Sequence, residues 1–91
     1  MKRFEWDDKK AEANAIKHGV TFETAMIAFD DPFYIILDDK MHSAQEVRQV
    51  LIGSSGLSVL VVVFTLRRDY IRIISARPAS RKERETYEKG I

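Results

Sequence analysis

The segment that most constrains this chain is residues 57–66, in which eight of ten positions are apolar. Its longest unbroken apolar run is six residues, 59–64, far short of the ~20 residues that a membrane-spanning helix needs. A short, continuous apolar run of this kind is typical of a strand that is covered on both faces of a sheet. Residues 57–66 therefore predict a central strand.

Further strands are predicted on either side of this segment. Residues 33–37 form a β-branched and aromatic run, and residues 46–52 and 70–77 alternate between apolar and polar side chains. A Gly/Ser turn at 53–56 and the turn at 67–69 join three of these segments in hairpin order. We expect a four-stranded antiparallel sheet, with residues 2–6 as a candidate short edge strand.

Three helices are predicted from capping residues and helical spacing. Asp7 or Asp8 caps a helix over 9–18, and Thr21 caps a second helix that ends before Pro32. The sequence Ser80-Arg81-Lys82-Glu83 is a capping box that begins a helix over about 80–89. The order β-α-α-β-β-β-β-α indicates an α+β domain spanning residues 1–91. The last helix offers only Tyr87 to a core, so we expect it to dock weakly.

Composition excludes several classes of protein. The 91 residues contain no cysteine, which removes disulfide scaffolds, thiol catalysis and cysteine-ligated metals. The two histidines lack ligand spacing, and neither a glycine-rich phosphate loop nor a nucleophile elbow is present. The N-terminus lacks the apolar region of a signal peptide. We predict a cytoplasmic protein that has no metal site and no cofactor.

Charge is distributed unevenly along the chain. Residues 1–46 hold six Lys/Arg and ten Asp/Glu, whereas residues 47–91 hold nine and four. Seven of those nine basic residues lie between 67 and 84, and six of the seven are Arg. A dense Arg-rich stretch is typical of a surface that binds a polyanion, because guanidinium groups bind phosphate bidentately. Alternatively, the stretch is a solvent-exposed face with no binding role, which would have the same composition.

Arg72 lies in the middle of an otherwise apolar strand, where a charge is costly unless it is paired or lines a cleft. It either forms an ion pair with Glu46 or another carboxylate, or it holds a phosphate on the open face of the sheet. Strict alternation places Arg72 and Arg77 on opposite faces. Arg77, Arg81 and Arg84 can converge where the last strand meets the last helix. Glu46 and Arg48 share one face of their strand.

The remaining polar and aromatic candidates have simpler interpretations. His18 ends the first helix, where a charged imidazole stabilises the helix dipole, or it takes part in chemistry. His42 lies in a polar loop and is expected to have no catalytic role. Phe4 and Trp6 are expected in the core, and the three Asp-Asp pairs are expected to cap helices and turns.

The chain resembles the BrnT toxins of type II toxin–antitoxin systems. The matching pieces cover nearly the whole chain in order: Phe4-Glu5-Trp6-Asp7, residues 14–25 around Lys17-His18-Gly19, Glu46-Val47-Arg48, Gly53, Arg72-Ile73-Ile74-Ser75-Ala76-Arg77 and Glu83-Arg84-Glu85-Thr86-Tyr87. The resemblance implies a RelE-like fold and an endoribonuclease that arrests translation. It also implies a cognate BrnA antitoxin that neutralises the toxin and carries a DNA-binding domain, as a heterotetramer on operator DNA.

Metal-free RNA cleavage needs groups that move protons and groups that stabilise the charged phosphate. We assign phosphate stabilisation to Arg72 and Arg77, and proton transfer to Lys17 or His18, with Tyr87 or Glu46 next. RNA phosphates are expected to be held by Arg48, Arg67, Arg81 and Arg84. Alternatively, the chain is a non-catalytic module that binds RNA or an antitoxin and blocks translation by occupancy. A DNA-binding co-repressor is disfavoured because no helix-turn-helix pattern is present.

Overall fold

The computed structural model describes residues 2–39 and 46–90, and these form five strands and three helices around one mixed sheet. His42 lies outside the described residues. In chain order the elements are β1 (Arg3–Glu5), α1 (Asp8–His18), α2 (Phe22–Ala28), β2 (Ile35–Asp38), β3 (Gln49–Ser54), β4 (Val59–Arg67), β5 (Tyr70–Pro78) and α3 (Arg81–Lys89). The α+β class and the predicted element order are confirmed.

The sheet has five strands in the order β1-β5-β4-β3-β2. β2 to β5 form the predicted antiparallel meander, and β4 is a central strand that pairs with β3 on one edge and with β5 on the other. The expectation of four strands is wrong by one, because β1 pairs in parallel with β5 and places Glu5 beside Arg72. A three-residue strand is too short to show a clear periodicity in the sequence. Its parallel partner, β5, lies near the other end of the chain, so no local pattern indicates the pairing.

Capping side chains set the starts of the helices where the sequence predicts them. The Asp7 carboxylate accepts hydrogen bonds from the amides of Lys9 (2.8 Å) and Lys10 (3.3 Å). The Thr21 hydroxyl accepts one from the amide of Thr24 at 3.1 Å. Ser80 and Glu83 complete the predicted capping box of α3. Each cap satisfies amides that the first turn of a helix leaves without partners.

The main core lies between the sheet and the pair of helices α1 and α2. Its fully buried large side chains are Phe22, Leu51, Leu60 and Val62. Phe4 meets Phe29 edge-on with ring centroids 5.1 Å apart, and Trp6 meets Phe22 at 5.8 Å. The prediction that Phe4 and Trp6 pack on the core is confirmed, because both contact this cluster.

Gly53 shows how closely α2 approaches the sheet. The predicted turn at 53–56 begins later than expected, because Gly53 and Ser54 belong to β3. A Cβ atom on Gly53 would lie 2.8 Å from the carbonyl oxygen of Ala28. Only glycine lets the end of α2 pack this closely against β3.

A β-bulge in β5 changes which side chains share a face. Val63 pairs with Ser75 but the next residue, Phe64, pairs with Ile73, so Ile74 has no opposite residue. The extra residue reverses the alternation beyond it. Ile73 and Ala76 therefore both point into the main core. The prediction that Arg72 and Arg77 lie on opposite faces is wrong, since the bulge leaves both on the face away from that core.

Candidate active site

The face of the sheet away from α1 and α2 has a smaller core and an open cleft. α3 covers one part, where Ile52, Val61 and Ala79 are buried and Tyr87 packs against them. Next to it lies a cleft of about 400 Å³. The side chains that line the cleft combine an apolar floor with a charged rim: Val50, Val61, Val63, Ile74, Ser75, Asp39, Arg48, Arg77 and Glu83.

Arg77 is held in the cleft by Glu83 of α3. Its Nη1 and Nη2 atoms each donate to a Glu83 carboxylate oxygen at 2.7 Å, and the Ser80 amide donates to the same carboxylate at 2.8 Å. The bond from Arg77 lowers the pKa of Glu83 to about 2, while the same bond raises the pKa of Arg77. Both groups are therefore charged at neutral pH, and the guanidinium has a defined orientation.

Arg72 lies on the same face as Arg77, further along β5. Its Nη1 atom is 3.5 Å from the Glu5 carboxylate, and its side chain is only 26% exposed. An ion pair was one of the two interpretations of Arg72, and the carboxylate is supplied by Glu5 of β1. The pair holds Arg72 at a half-buried position on the same face of the sheet as the cleft.

Glu46 pairs with Arg67 instead of Arg72. Arg67 Nη2 lies 3.2 Å from Glu46 Oε2, at the far end of β4 from α3. The Thr65 hydroxyl donates to the Val47 carbonyl oxygen at 2.7 Å, which ties this segment to β4. Arg48, the residue immediately before β3, lines the cleft. The structure thus separates Glu46 and Arg67 from the cleft while it brings Arg48 and Arg77 to it.

The two arginines of α3 have different surroundings. Arg84 Nη1 donates to the Ala79 carbonyl oxygen at 3.4 Å, so it lies at the predicted strand–helix junction. Arg81 is 88% exposed and faces Glu85 one turn along the helix, at 3.6 Å. Neither lines the cleft.

Tyr87 docks α3 through a buried carboxylate that the sequence does not reveal. Its hydroxyl donates to Asp31 Oδ2 at 2.5 Å, and the amides of Ser54 (2.7 Å) and Phe33 (2.9 Å) also donate to Asp31. Burial alone would raise the pKa of Asp31, but these three hydrogen bonds outweigh it and lower the pKa. The bond to Asp31 raises the pKa of Tyr87 to about 12.

Asp31 was expected only to cap a turn beside Pro32. It does accept from the Phe33 amide, as an Asp in a turn commonly does. Its bonds to Ser54 and Tyr87 join residues 23 and 56 positions away. No local pattern predicts contacts at that separation.

The family to which the chain belongs follows from a comparison with protein-family models. The model for the ribonuclease toxin BrnT of type II toxin–antitoxin systems matches residues 6–83. The chain belongs to the BrnT family. No individually curated protein matches it significantly. The resemblance stated from the sequence is confirmed. At the level of the family, membership implies an RNA substrate and an antitoxin partner.

The BrnT match includes Lys17 and His18, which form the last turn of α1. They are outside the lining of the cleft. Asn14, one turn earlier, is buried: its side-chain amide donates to the carbonyl oxygens of Val20 (2.9 Å) and Ala76 (2.8 Å). The Ala76 amide donates back to Asn14 at 3.1 Å. Asn14 thus fastens α1 to the edge of β5 at the residue next to Arg77.

Within residues 2–39 and 46–90, no group of three or more His, Asp or Glu side chains is placed to hold a metal ion. No helix of this part of the chain is long and apolar enough to cross a membrane.

Proposed function

We propose that this BrnT-family chain is an endoribonuclease that cleaves RNA without a metal ion and thereby arrests translation. The observation that carries the proposal is the cleft on the open face of the sheet, which Arg48 and Arg77 line together with apolar side chains. Two guanidinium groups at one cleft suit a phosphodiester, whose oxygens accept hydrogen bonds from planar N–H forks. The absence of Cys and of clustered His from the sequence motivates the metal-free mechanism.

The reaction that this site supports is an internal transesterification. The ribose 2′-oxygen loses its proton and bonds to phosphorus, and the 5′-oxygen of the next nucleotide leaves with a proton. The products are a 2′,3′-cyclic phosphate and a 5′-hydroxyl end. In the proposal, Arg77 and Arg72 stabilise the negative charge that builds up on the phosphate oxygens in the transition state.

Arg77 can bind a phosphate while it keeps its bond to Glu83. A guanidinium has five N–H donors; two are directed at Glu83 and one at the Pro78 carbonyl oxygen. The Nε–H and the second N–H of Nη2 are left to face a ligand. Arg48, Arg67, Arg81 and Arg84 bind neighbouring phosphates along the strand and helix surfaces in this proposal.

Proton transfer is assigned to Lys17 or His18, with Tyr87 next; Glu46, the remaining candidate, is set aside because it pairs with Arg67 away from the cleft. With its pKa at about 12, Tyr87 is protonated at neutral pH and can act only as a donor. Glu83, with its pKa at about 2, is too weak a base to deprotonate a 2′-hydroxyl and serves to orient Arg77. His18 lies one turn beyond the buried Asn14, about 6 Å further along the axis of α1.

The partner in this proposal is a BrnA-like antitoxin. It neutralises the toxin in the cytoplasm, and the two proteins form a heterotetramer that binds operator DNA through the antitoxin. α3 is the element that we expect the antitoxin to affect, because it has no buried residue and its Glu83 lines the cleft. A partner that moves α3 would also release Arg77.

Incubation of the purified chain with a structured RNA in EDTA tests the enzyme directly. We expect discrete fragments that end in a 2′,3′-cyclic phosphate, identified by mass spectrometry. Cleavage that stops in EDTA and returns with magnesium, with RNA folding controlled, would show that the metal-free mechanism is wrong.

The acid–base properties of the cleft favour a second candidate function. Neither Glu83 nor Tyr87 titrates near neutral pH, and in this alternative the arginines form a binding surface that lacks a base. In that case the chain blocks translation by occupying RNA. A gel-mobility shift of RNA with no cleavage after long incubation would support this alternative and exclude the enzyme.

A further inference from the structure

An exposed tyrosine lies between two arginines at the end of the open sheet face that is far from α3. Tyr70 of β5 pairs with Arg3 of β1 on one side and with Arg67 of β4 on the other. Phe4 and Ile71, which follow Arg3 and Tyr70 in their strands, pack on the main core, so this row lies on the opposite face of the sheet. Neighbouring strands are about 4.8 Å apart. A ring that is 40% exposed is therefore flanked on both sides by guanidinium groups.

The hairpin turn beside this row holds an arginine in an unfavourable backbone conformation. β4 and β5 are joined by the two-residue loop Arg68-Asp69, since the residues on either side of it pair with each other. Arg68 has a φ of 53° and is the only described residue other than glycine with a positive φ. The favoured two-residue loops take Gly, Asn or Asp at such positions. Strain that a smaller residue would avoid indicates a function for the arginine side chain.

Arginine side chains at this end of the sheet have N–H groups available to a ligand. Within residues 2–39 and 46–90, Arg3 and Arg68 are exposed and form no ion pair or side-chain hydrogen bond. Arg67 binds Glu46 through Nε and Nη2 at 3.2–3.4 Å, so the two N–H groups of Nη1 take no part in this pair. Two whole guanidinium groups and part of a third can therefore donate to an anion.

The carboxylates at this end of the sheet decide what kind of anion fits. Glu5 and Glu46 are held by Arg72 and Arg67, and Asp69 lies in the turn. Among the described residues, four arginines against three carboxylates leave a net charge of only +1 here. A stretch of acidic side chains would meet little net attraction and would make no use of the exposed ring. A ligand that alternates flat aromatic groups with single anionic groups fits better, and single-stranded RNA has this composition.

We define the Tyr70 subsite as the tyrosine with its three neighbouring arginines, Arg3, Arg67 and Arg68. We propose that one base of the RNA substrate stacks on the ring while the arginines hold the flanking phosphates, as aromatic and basic side chains do on other open sheet faces. The inference rests on the proposed ribonuclease function and adds a binding site away from the cleft. Tyr70 and Arg77 are about 20 Å apart along β5, the length of about six stacked nucleotides. Only an RNA longer than this occupies both places.

Binding of an RNA that cannot be cleaved tests the subsite separately from the enzyme. The probe is a fluorescein-labelled 2′-O-methyl RNA of about 12 nucleotides, in which the blocked 2′-oxygen cannot attack phosphorus, and its affinity is measured by fluorescence anisotropy. Tyr70→Ala should weaken binding about 10-fold, as loss of one stacked base does. Tyr70→Phe keeps the ring and should bind like the wild type. Tyr34→Ala is the matched control, because Tyr34 is also 40% exposed but lies beside β2.

The salt dependence of the same binding tests the arginines. Each phosphate contact that is lost should reduce the slope of log K against log[salt] by about 0.7 for a single strand. Arg68→Gly should show this reduction, and it should not lower the free energy of unfolding because glycine accepts a positive φ. Tyr70→Ala should weaken binding without a change of slope. Lys10→Ala, on the exposed surface of α1, is the charge-matched control and should leave the slope unchanged.

Cleavage kinetics connect the subsite to the reaction. For a long RNA, Tyr70→Ala should raise KM about 10-fold and leave kcat unchanged, whereas cleavage of a trinucleotide should not change. Unchanged affinity in Tyr70→Ala, an equal loss in Tyr34→Ala, or an unchanged salt slope in Arg68→Gly would overturn the proposal. Weaker binding of the antitoxin with unchanged binding of RNA would also overturn it and assign this surface to a protein. RNA binding that depends on Tyr70 in a chain that cleaves no RNA would refute the proposed ribonuclease function alone.

Discussion

The two faces of the sheet are built from alternating residues of the same strands, yet they differ in almost every physical respect. The face toward α1 and α2 buries Phe22, Leu51, Leu60 and Val62 completely. The opposite face has a small cluster under α3 and then an open cleft with Arg48 and Arg77 on its rim. One face contributes most of the hydrophobic stability, and this leaves the other face able to hold charged side chains at exposed or half-buried positions.

The largest effect should come from a cavity on the closed face. Leu51→Ala removes a side chain with no exposed surface and should lower the free energy of unfolding by about 2–5 kcal/mol. Val50→Ala, one residue away on the cleft face, should cost about 1 kcal/mol or less because Val50 is already half-exposed. Urea unfolding followed by circular dichroism measures both. Equal losses for the two variants would mean that the faces do not differ in stability as described.

The arginines of the open face should affect activity much more than stability. Arg77→Ala should slow RNA cleavage about 100- to 1000-fold and change the free energy of unfolding by only about 1 kcal/mol, since the Arg77–Glu83 pair is partly exposed. Arg72→Ala should act in the same direction and relieve growth arrest. Single-turnover cleavage, with circular dichroism alongside, checks both variants.

Lys10→Ala, on the exposed surface of α1, is a charge-matched control for these arginine variants, and His42→Ala should also stay toxic. Unfolding of the Arg72 or Arg77 variants would show that these residues are structural ion-pair members. Loss of toxicity in His42→Ala would show that the base has been misassigned.

α3 should be the least stable helix of the three. Its anchors are the Tyr87–Asp31 bond, the Arg77–Glu83 pair and the capping box, whereas α1 is fastened by the buried Asn14. We expect amides in residues 84–89 to exchange faster than those of residues 12–18 in the free chain, and to slow when antitoxin is added. Strong protection of α3 in the free chain, unchanged by the partner, would mean that inhibition acts elsewhere.

The smallest effect should appear as a pH dependence of α3. The pKa of Glu83 is about 2 in the folded chain, below the ordinary value of about 4.3 for an unfolded chain. Its ion pair with Arg77 therefore stabilises the fold fully above about pH 4.3, and this stabilisation is lost as pH falls toward 2. Faster exchange of the α3 amides over that pH range should be seen in the wild type. In Glu83→Gln it should be smaller, with a remainder from Asp31, whose pKa is also lowered and whose carboxylate anchors Tyr87; an identical profile in this variant would assign the whole effect to other groups.

The predictable part of this molecule is the part decided by neighbours along the chain. Asp7, Thr21 and Ser80 accept hydrogen bonds from amides two or three residues away. Helix starts are therefore readable from the sequence, as is the apolar run that becomes β4. The family is also a property of the sequence, because motifs along residues 6–83 are enough to assign it.

The arrangement of the candidate site was decided by contacts between distant residues. The bulge at Ile74 places Arg72 and Arg77 on one face, whereas simple alternation separates them. Arg72 pairs with Glu5, and Glu46 pairs with Arg67. Which arginine pairs with each carboxylate is set by the register between strands that are far apart in the sequence. Such choices depend on how the whole sheet pairs and bends, and the sequence alone does not contain that geometry in any local pattern.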